Sequence, residues 1–142
     1  MKNIFLDSNV LYDALFARSP FDEDAWQLLN LGNEGKLSLS ISTLTVVNAV
    51  YVAKKYNVSL SAVRKSLIEM HNFIAFIDLT EENILAQLGS EWKDFEDAVQ
   101  YECAVENFAD VVITRNEKDF SKSSIPVVSP KAFLTSLIEL NN

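Results

Sequence analysis

Little in this 142-residue chain suits covalent or redox chemistry. It has one cysteine, Cys103, and one histidine, His71. A lone cysteine excludes an internal disulfide and fits a reducing cytoplasm. His71 lies in a different segment, so Cys103 reads as a small core residue and not as a nucleophile. With no second histidine or cysteine beside it, His71 reads as a residue near a helix C-terminus and not as a zinc ligand. There are only three glycines and three prolines. No internal repeat or low-complexity linker is visible, and the expectation is one domain over residues 1–142. No apolar run approaches the roughly 20 residues that cross a bilayer. Met1-Lys2-Asn3 lacks a signal peptide's apolar region, so a cytoplasmic protein with no membrane partner is expected. Basic residues are few: 12 Lys and Arg stand against 20 Asp and Glu, for a net charge of −8. That argues against a broad electrostatic grip on nucleic acid. It leaves room for a nucleic acid held locally through metal ions, and it suits a partner with basic segments.

What is present is an alternation of short apolar runs and helical periodicities. Ile4-Phe5-Leu6 is a buried strand that stops at Asp7, followed by Ser8, Asn9 and a new apolar stretch. Asp7 reads equally well as a helix N-cap or as an acid delivered to the rim of a sheet. Acids at Asp22, Glu23 and Asp24 open a helix through Trp26, Leu28, Leu29 and Leu31, with Gly32 and Gly35 ending it. Leu37 to Ile41 reads as a second strand. A helix then runs to about Tyr56, with Leu44, Val47, Val50 and Tyr51 as its apolar stripe and Asn48 beside it. Residues 59–71 form a helix with Leu60, Val63, Leu67 and Met70 inward, and residues 73–79 form a third strand. Asp94, Glu96 and Asp97 open a further helix, Asp94 and Asp97 sharing one face. Residues 110–116 are a fourth strand ending in Thr114, Arg115 and Asn116, followed by a turn with Asp119. Val127-Val128 closes the sheet, and Ser129-Pro130 caps the last helix. Strands alternating with helices predict an α/β/α sandwich around a mostly parallel sheet of four to five strands.

A parallel sheet gathers strand carboxyl ends at one edge, so Asp7, Asp94, Asp97, Asn116 and Asp119 can converge. Carboxylates without basic partners favour a hard cation, Mg²⁺ or Mn²⁺, over Zn²⁺. Such an ion supports phosphodiester hydrolysis without any nucleophilic side chain. Four stretches in this order, Leu6-Asp7-Ser8-Asn9-Val10-Leu11, Ile41-Ser42-Thr43-Leu44-Thr45, Asp94-Phe95-Glu96-Asp97-Ala98 and Ile113-Thr114-Arg115-Asn116-Glu117-Lys118-Asp119-Phe120, resemble the PIN domain. The nearest likeness is to VapC-type toxins of bacterial toxin–antitoxin pairs, and it covers nearly the whole chain. The resemblance implies Mg²⁺- or Mn²⁺-dependent cleavage of RNA, frequent homodimers and inhibition by an antitoxin. It makes Asp7 the first metal-binding acid, Asp97 the acid of the later helix with Asp94 beside it, and Ser8 or Asn9 the support of Asp7.

Two departures from the family pattern bear on activity. The family's glutamate after the second strand is replaced by Val46, Val47 and Asn48. Its aspartate after Thr-Arg is replaced by Asn116. An amide ligates through oxygen but carries no charge. The expected metal site is therefore Asp7, Asp94, Asp97 and Asp119 with Asn116, supported by Ser8, Asn9, Asn48, Thr114 and Arg115. The alternative is a PIN-like module that binds a protein or RNA without cleaving it. An aspartyl phosphotransferase or receiver domain fits poorly, because Asn9 and Ser8 stand where those folds need further aspartates.

Overall fold

The computed structural model describes residues 1–140. Five strands, β1 (Asn3–Leu6), β2 (Ser38–Ser42), β3 (Ile74–Ile77), β4 (Val111–Ile113) and β5 (Val127–Val128), form one sheet in the order β3-β2-β1-β4-β5. Every neighbouring pair is parallel. The expected mostly parallel sheet of four to five strands is thus five strands, wholly parallel. The reason is the connectivity: each successive strand is reached through a helical segment or the turn after β4, and none by a hairpin.

The helices are α1 (Ser8–Leu15), α2 (Asp22–Asn33), α3 (Thr43–Lys55), α4 (Leu60–Met70), α5 (Glu81–Leu88), α6 (Phe95–Glu106) and α7 (Pro130–Leu140). Side chains alternate across the two central strands. Ile4, Leu6, Val111 and Ile113 point into a core with Leu11, Leu28, Ala49, Val63 and Phe133 of α1, α2, α3, α4 and α7. Phe5 and Val112 point the other way, onto Cys103 and Ala104 of α6 and Phe120. Both faces of the sheet are covered, which is why its strands read as continuous apolar runs.

Three local expectations change. Leu60, expected inward, opens α4 at 42% exposure, and only Val63, Leu67 and Met70 are buried there. Gly32 does not end α2; it lies inside the helix, where an added Cβ would stand 2.4 Å from Leu39 Cδ1. Gly35, with φ +76°, makes the turn after it. On α3 the buried residues are Thr45, Ala49 and Ala53, while Val47 and Tyr51 are 58% and 64% exposed. The small residues face the sheet because helix and sheet approach closely there. The larger apolar side chains are left on the outer surface.

Candidate functional site

Strand order reverses direction at the centre of the sheet: the chain moves from β1 outward to β2 and β3, then returns to β4 on the other side of β1. That switch point is where open α/β sheets form a crevice beyond their carboxyl ends. Leu6 of β1 pairs with Ile113 of β4, so Asp7 and Thr114 emerge side by side. The Asp7 amide donates to the Ile113 carbonyl at 2.9 Å.

Asp7 is only 4% exposed. One carboxylate oxygen accepts from the Ser8 amide at 2.8 Å and the other from the Thr114 hydroxyl at 2.8 Å. Asp7 is therefore both the N-cap of α1 and a rim acid; the two roles coexist. Thr114 is fully buried, and its oxygen accepts from Asn9 Nδ2 at 3.3 Å and from the Asn116 amide at 3.1 Å. Ser8 thus supports Asp7 through its backbone, and Asn9 supports it through Thr114.

Across the crevice, α6 begins with Asp94 as N-cap, its carboxylate accepting from the Asp97 amide at 3.0 Å. Burial and then repulsion from Asp7, Asp94, Asp119 and Glu96 push the Asp97 carboxyl up to about 7. The Asp7 carboxyl is also held above its ordinary value, first by burial, against the lowering effect of Thr114 and Ser8, and with Glu96 and Asp119 adding repulsion. Glu96 is raised by burial and by Asp94. No lysine or arginine counters any of these three acids. The donor set, carboxylate oxygens crowded without a cation, fits Mg²⁺ or Mn²⁺. It is a loose set: among the described residues no three His, Cys, Asp or Glu side chains stand close enough to hold an ion as placed.

Glu96 is the acid that the motif reading passed over. The charge run at residues 94–97 was its only sequence signal. Asp94 stays exposed and spends one oxygen as the helix cap. Asp119 is exposed in a 3₁₀ turn, Glu117–Phe120, whose first amide bonds include Asp119 N to Asn116 O at 2.9 Å. Asn116 is exposed beside it, and Asn48 is half-buried on α3; neither side chain makes a hydrogen bond among the described residues. Below α3's start, Gln100 is fully buried and donates to Thr45 Oγ1 at 3.1 Å, its own carbonyl oxygen left without a partner among the described residues.

Arg115, expected among the residues supporting the metal site, turns instead to an acid of α1. It is bound to Asp13 through Nε at 2.6 Å and Nη2 at 3.1 Å, and its guanidinium lies 4.0 Å from the centre of the Phe21 ring. Asp13 is 1% exposed and also holds Arg18 at 2.8 Å. A lone acid in the apolar stretch of α1 was the available sign of this buried pairing. Cys103 is buried, with its thiol pushed up to about 12 by burial and by the nearby acids Glu106 and Asp78. An unreactive core thiol fits both.

A family model described as PIN domain matches residues 3–118. No curated protein sequence matches the chain. A toxin–antitoxin complex from Klebsiella pneumoniae is similar at 27% identity, with a TM-score of 0.63 over 89% of this chain and 97% of the other. FitAcB from Neisseria gonorrhoeae is similar at 22% identity, with a TM-score of 0.65 over 90% of this chain and 98% of the other. The sarcin–ricin loop cleaving toxin VapC20 from Mycobacterium tuberculosis is similar at 13% identity, with a TM-score of 0.61 over 77% and 86%. The last two likenesses are of fold.

Proposed function

This chain belongs to the PIN-domain family, and from that premise we propose that it is a toxin-type, metal-dependent endoribonuclease held in check by an antitoxin. The observation that carries the reading is the crowding of Asp7, Glu96, Asp97 and Asp119 at the β1/β4 switch point, none of them in an ion pair among the described residues. Asp7, Asp97 and Asp119 would hold Mg²⁺ or Mn²⁺, with Glu96 and Asp94 adding charge and Asn116 a neutral oxygen. The bound ion would neutralise charge at the phosphodiester and promote in-line attack by water. Thr114 fixes the Asp7 carboxylate by its hydroxyl, and Asn9 and the Asn116 amide fix Thr114. Asp94 sets the first turn of α6 and so the place of Asp97.

An apolar groove between α3 and α4, lined by Val47, Tyr51, Leu67, Ile68 and Phe76, supports work within a complex, with an antitoxin and with a second copy of the chain. Among the described residues no helix is long and apolar enough to cross a membrane; a cytoplasmic site of action is part of the same proposal.

A non-cleaving PIN-like module is the second reading. The amides at Asn48 and Asn116, with no ready-made metal cluster among the described residues, favour it. Titration calorimetry with Mn²⁺ on the wild type and Asp97→Asn, followed by RNA cleavage with the same pair, separates the two. Mn²⁺ binding and cleavage that are both lost in the variant support the nuclease. Wild-type protein that neither takes up Mn²⁺ nor cleaves RNA leaves the binding module.

A further inference from the structure

Beside the acids lies a cleft of about 300 Å³. Its walls include Asp94 and Asp119 of the site itself, together with Trp92, Lys93, Lys118 and Lys122. Three of the chain's 12 basic residues are thus gathered in a cleft that adjoins its acidic centre. Lys93 and Lys118 are exposed and make no ion pair or side-chain hydrogen bond among the described residues. Lys122 donates to the Glu91 carbonyl at 2.9 Å, with the exposed Glu91 carboxylate at 3.5 Å. Trp92 is fixed: its ring stacks on Tyr101 at 4.9 Å and meets Phe120 edge-on at 5.6 Å.

A net charge of −8 repels a polyanion. A strand approaching the acids needs local positive charge along its path, and lysines next to the site supply it as point charges on phosphate. A held aromatic ring beside them offers a platform for a base without selecting its identity. We propose that this cleft is the entry groove for single-stranded RNA, with Lys93, Lys118 and Lys122 on backbone phosphates beside the scissile bond and Trp92 against a base. The proposal rests on the nuclease reading for its substrate and adds the surface that delivers it.

The test is fluorescence anisotropy of a labelled short single-stranded oligoribonucleotide in EDTA, so that binding is read without cleavage. The wild type is compared with Lys93→Gln/Lys118→Gln and with Lys55→Gln/Lys65→Gln, which removes the same charge from exposed positions on α3 and α4. The cleft variant is expected to bind several-fold more weakly. Its plot of log affinity against log salt should flatten by about 0.7 for each lysine that contacts a phosphate. The α3/α4 variant should retain the wild-type slope. Equal losses in both variants, a wild-type slope in the cleft variant, or no salt-dependent binding by the wild type would each overturn the groove. The two readings fail separately. Protein that binds RNA through these lysines but never cleaves it keeps the groove and loses the nuclease. Protein that cleaves RNA with KM unchanged in Lys93→Gln/Lys118→Gln keeps the nuclease and loses the groove.

Discussion

Thr114 has one hydroxyl proton and two acceptor lone pairs, and all are committed. Asn9 and the Asn116 amide donate to its oxygen, so its proton has only the Asp7 carboxylate to go to. Thr114→Val keeps the shape and removes that bond. The expected cost is about 1.5–3 kcal/mol, the range for a hydrogen bond to a charged group, read by urea denaturation at neutral pH. Asp97 gives a pH dependence of opposite sense to an ordinary paired acid. Its carboxyl titrates at about 7 in the folded chain against 3.8 for the free group. Between those values the folded state holds the proton that the unfolded state has released, so this group's stabilising contribution falls as pH rises through 7. Asp97→Asn should therefore melt close to the wild type below about pH 4 and progressively higher than it up to pH 8, while losing Mn²⁺ binding. Melting curves at about pH 4 and pH 8 check it, and an unchanged difference between them would mean that burial and repulsion do not hold this carboxyl up. Asp13 is the third residue of note. Its two arginine partners leave it a buried charge with no solvent. Asp13→Ala should cost about 3 kcal/mol by urea denaturation, the low end for a broken buried pair, because Arg18 keeps its bond to the Asn9 carbonyl and both guanidinium groups are partly exposed.

At the scale of elements, α2 illustrates packing overriding helix propensity. Replacing a helical glycine by alanine ordinarily stabilises by about 1 kcal/mol. At Gly32 the new Cβ would lie 2.4 and 2.9 Å from Leu39 Cδ1 and Cγ, and Leu39 is itself 3% exposed in the core. Overpacking of this kind costs about 1–3 kcal/mol, so Gly32→Ala should lower the melting temperature despite the better helix former. Helix α3 illustrates the same priority from the other side. Periodicity pointed to Leu44, Val47, Val50 and Tyr51 as the inward stripe, yet the face on the sheet is Thr45, Ala49 and Ala53. Thr45 serves there as an anchor: its amide bonds Ser42 Oγ at 3.2 Å and its carbonyl accepts from Tyr12 at 2.8 Å.

At the scale of the whole molecule, charge and apolar surface are distributed unevenly. The exposed Val47 and Tyr51 sit in the α3/α4 groove with Lys54 and Arg64 beside them. Burying such a groove is a protein's task and not a solvent's. Val47→Glu/Tyr51→Glu should leave the chain folded, because both positions are more than half exposed. On the proposed reading that a second copy and an antitoxin cover this groove, it should shift the mass measured by light scattering from dimer to monomer and weaken capture of the antitoxin. A variant that stays dimeric and still captures it would place those contacts elsewhere.

By itself, the sequence determined the strand–helix alternation, the parallel sheet and most element positions, because burial on both faces makes apolar runs that periodicity and caps can mark. It also singled out Asp7 and Asp97, since an acid that ends an apolar strand or opens an apolar helix stands out in one dimension. Only the tertiary structure decided which acids face one another. Glu96 adds repulsion to Asp7 across the crevice, beside the Asp94–Asp97 pairing that the spacing marked and that α6 keeps. Arg115 turns to a buried Asp13 that lies 102 positions away. The lysines of the cleft come from α6's approach and from the turn after β4. These are contacts between elements brought together by the crossover order of the sheet, and no local pattern in the chain encodes them.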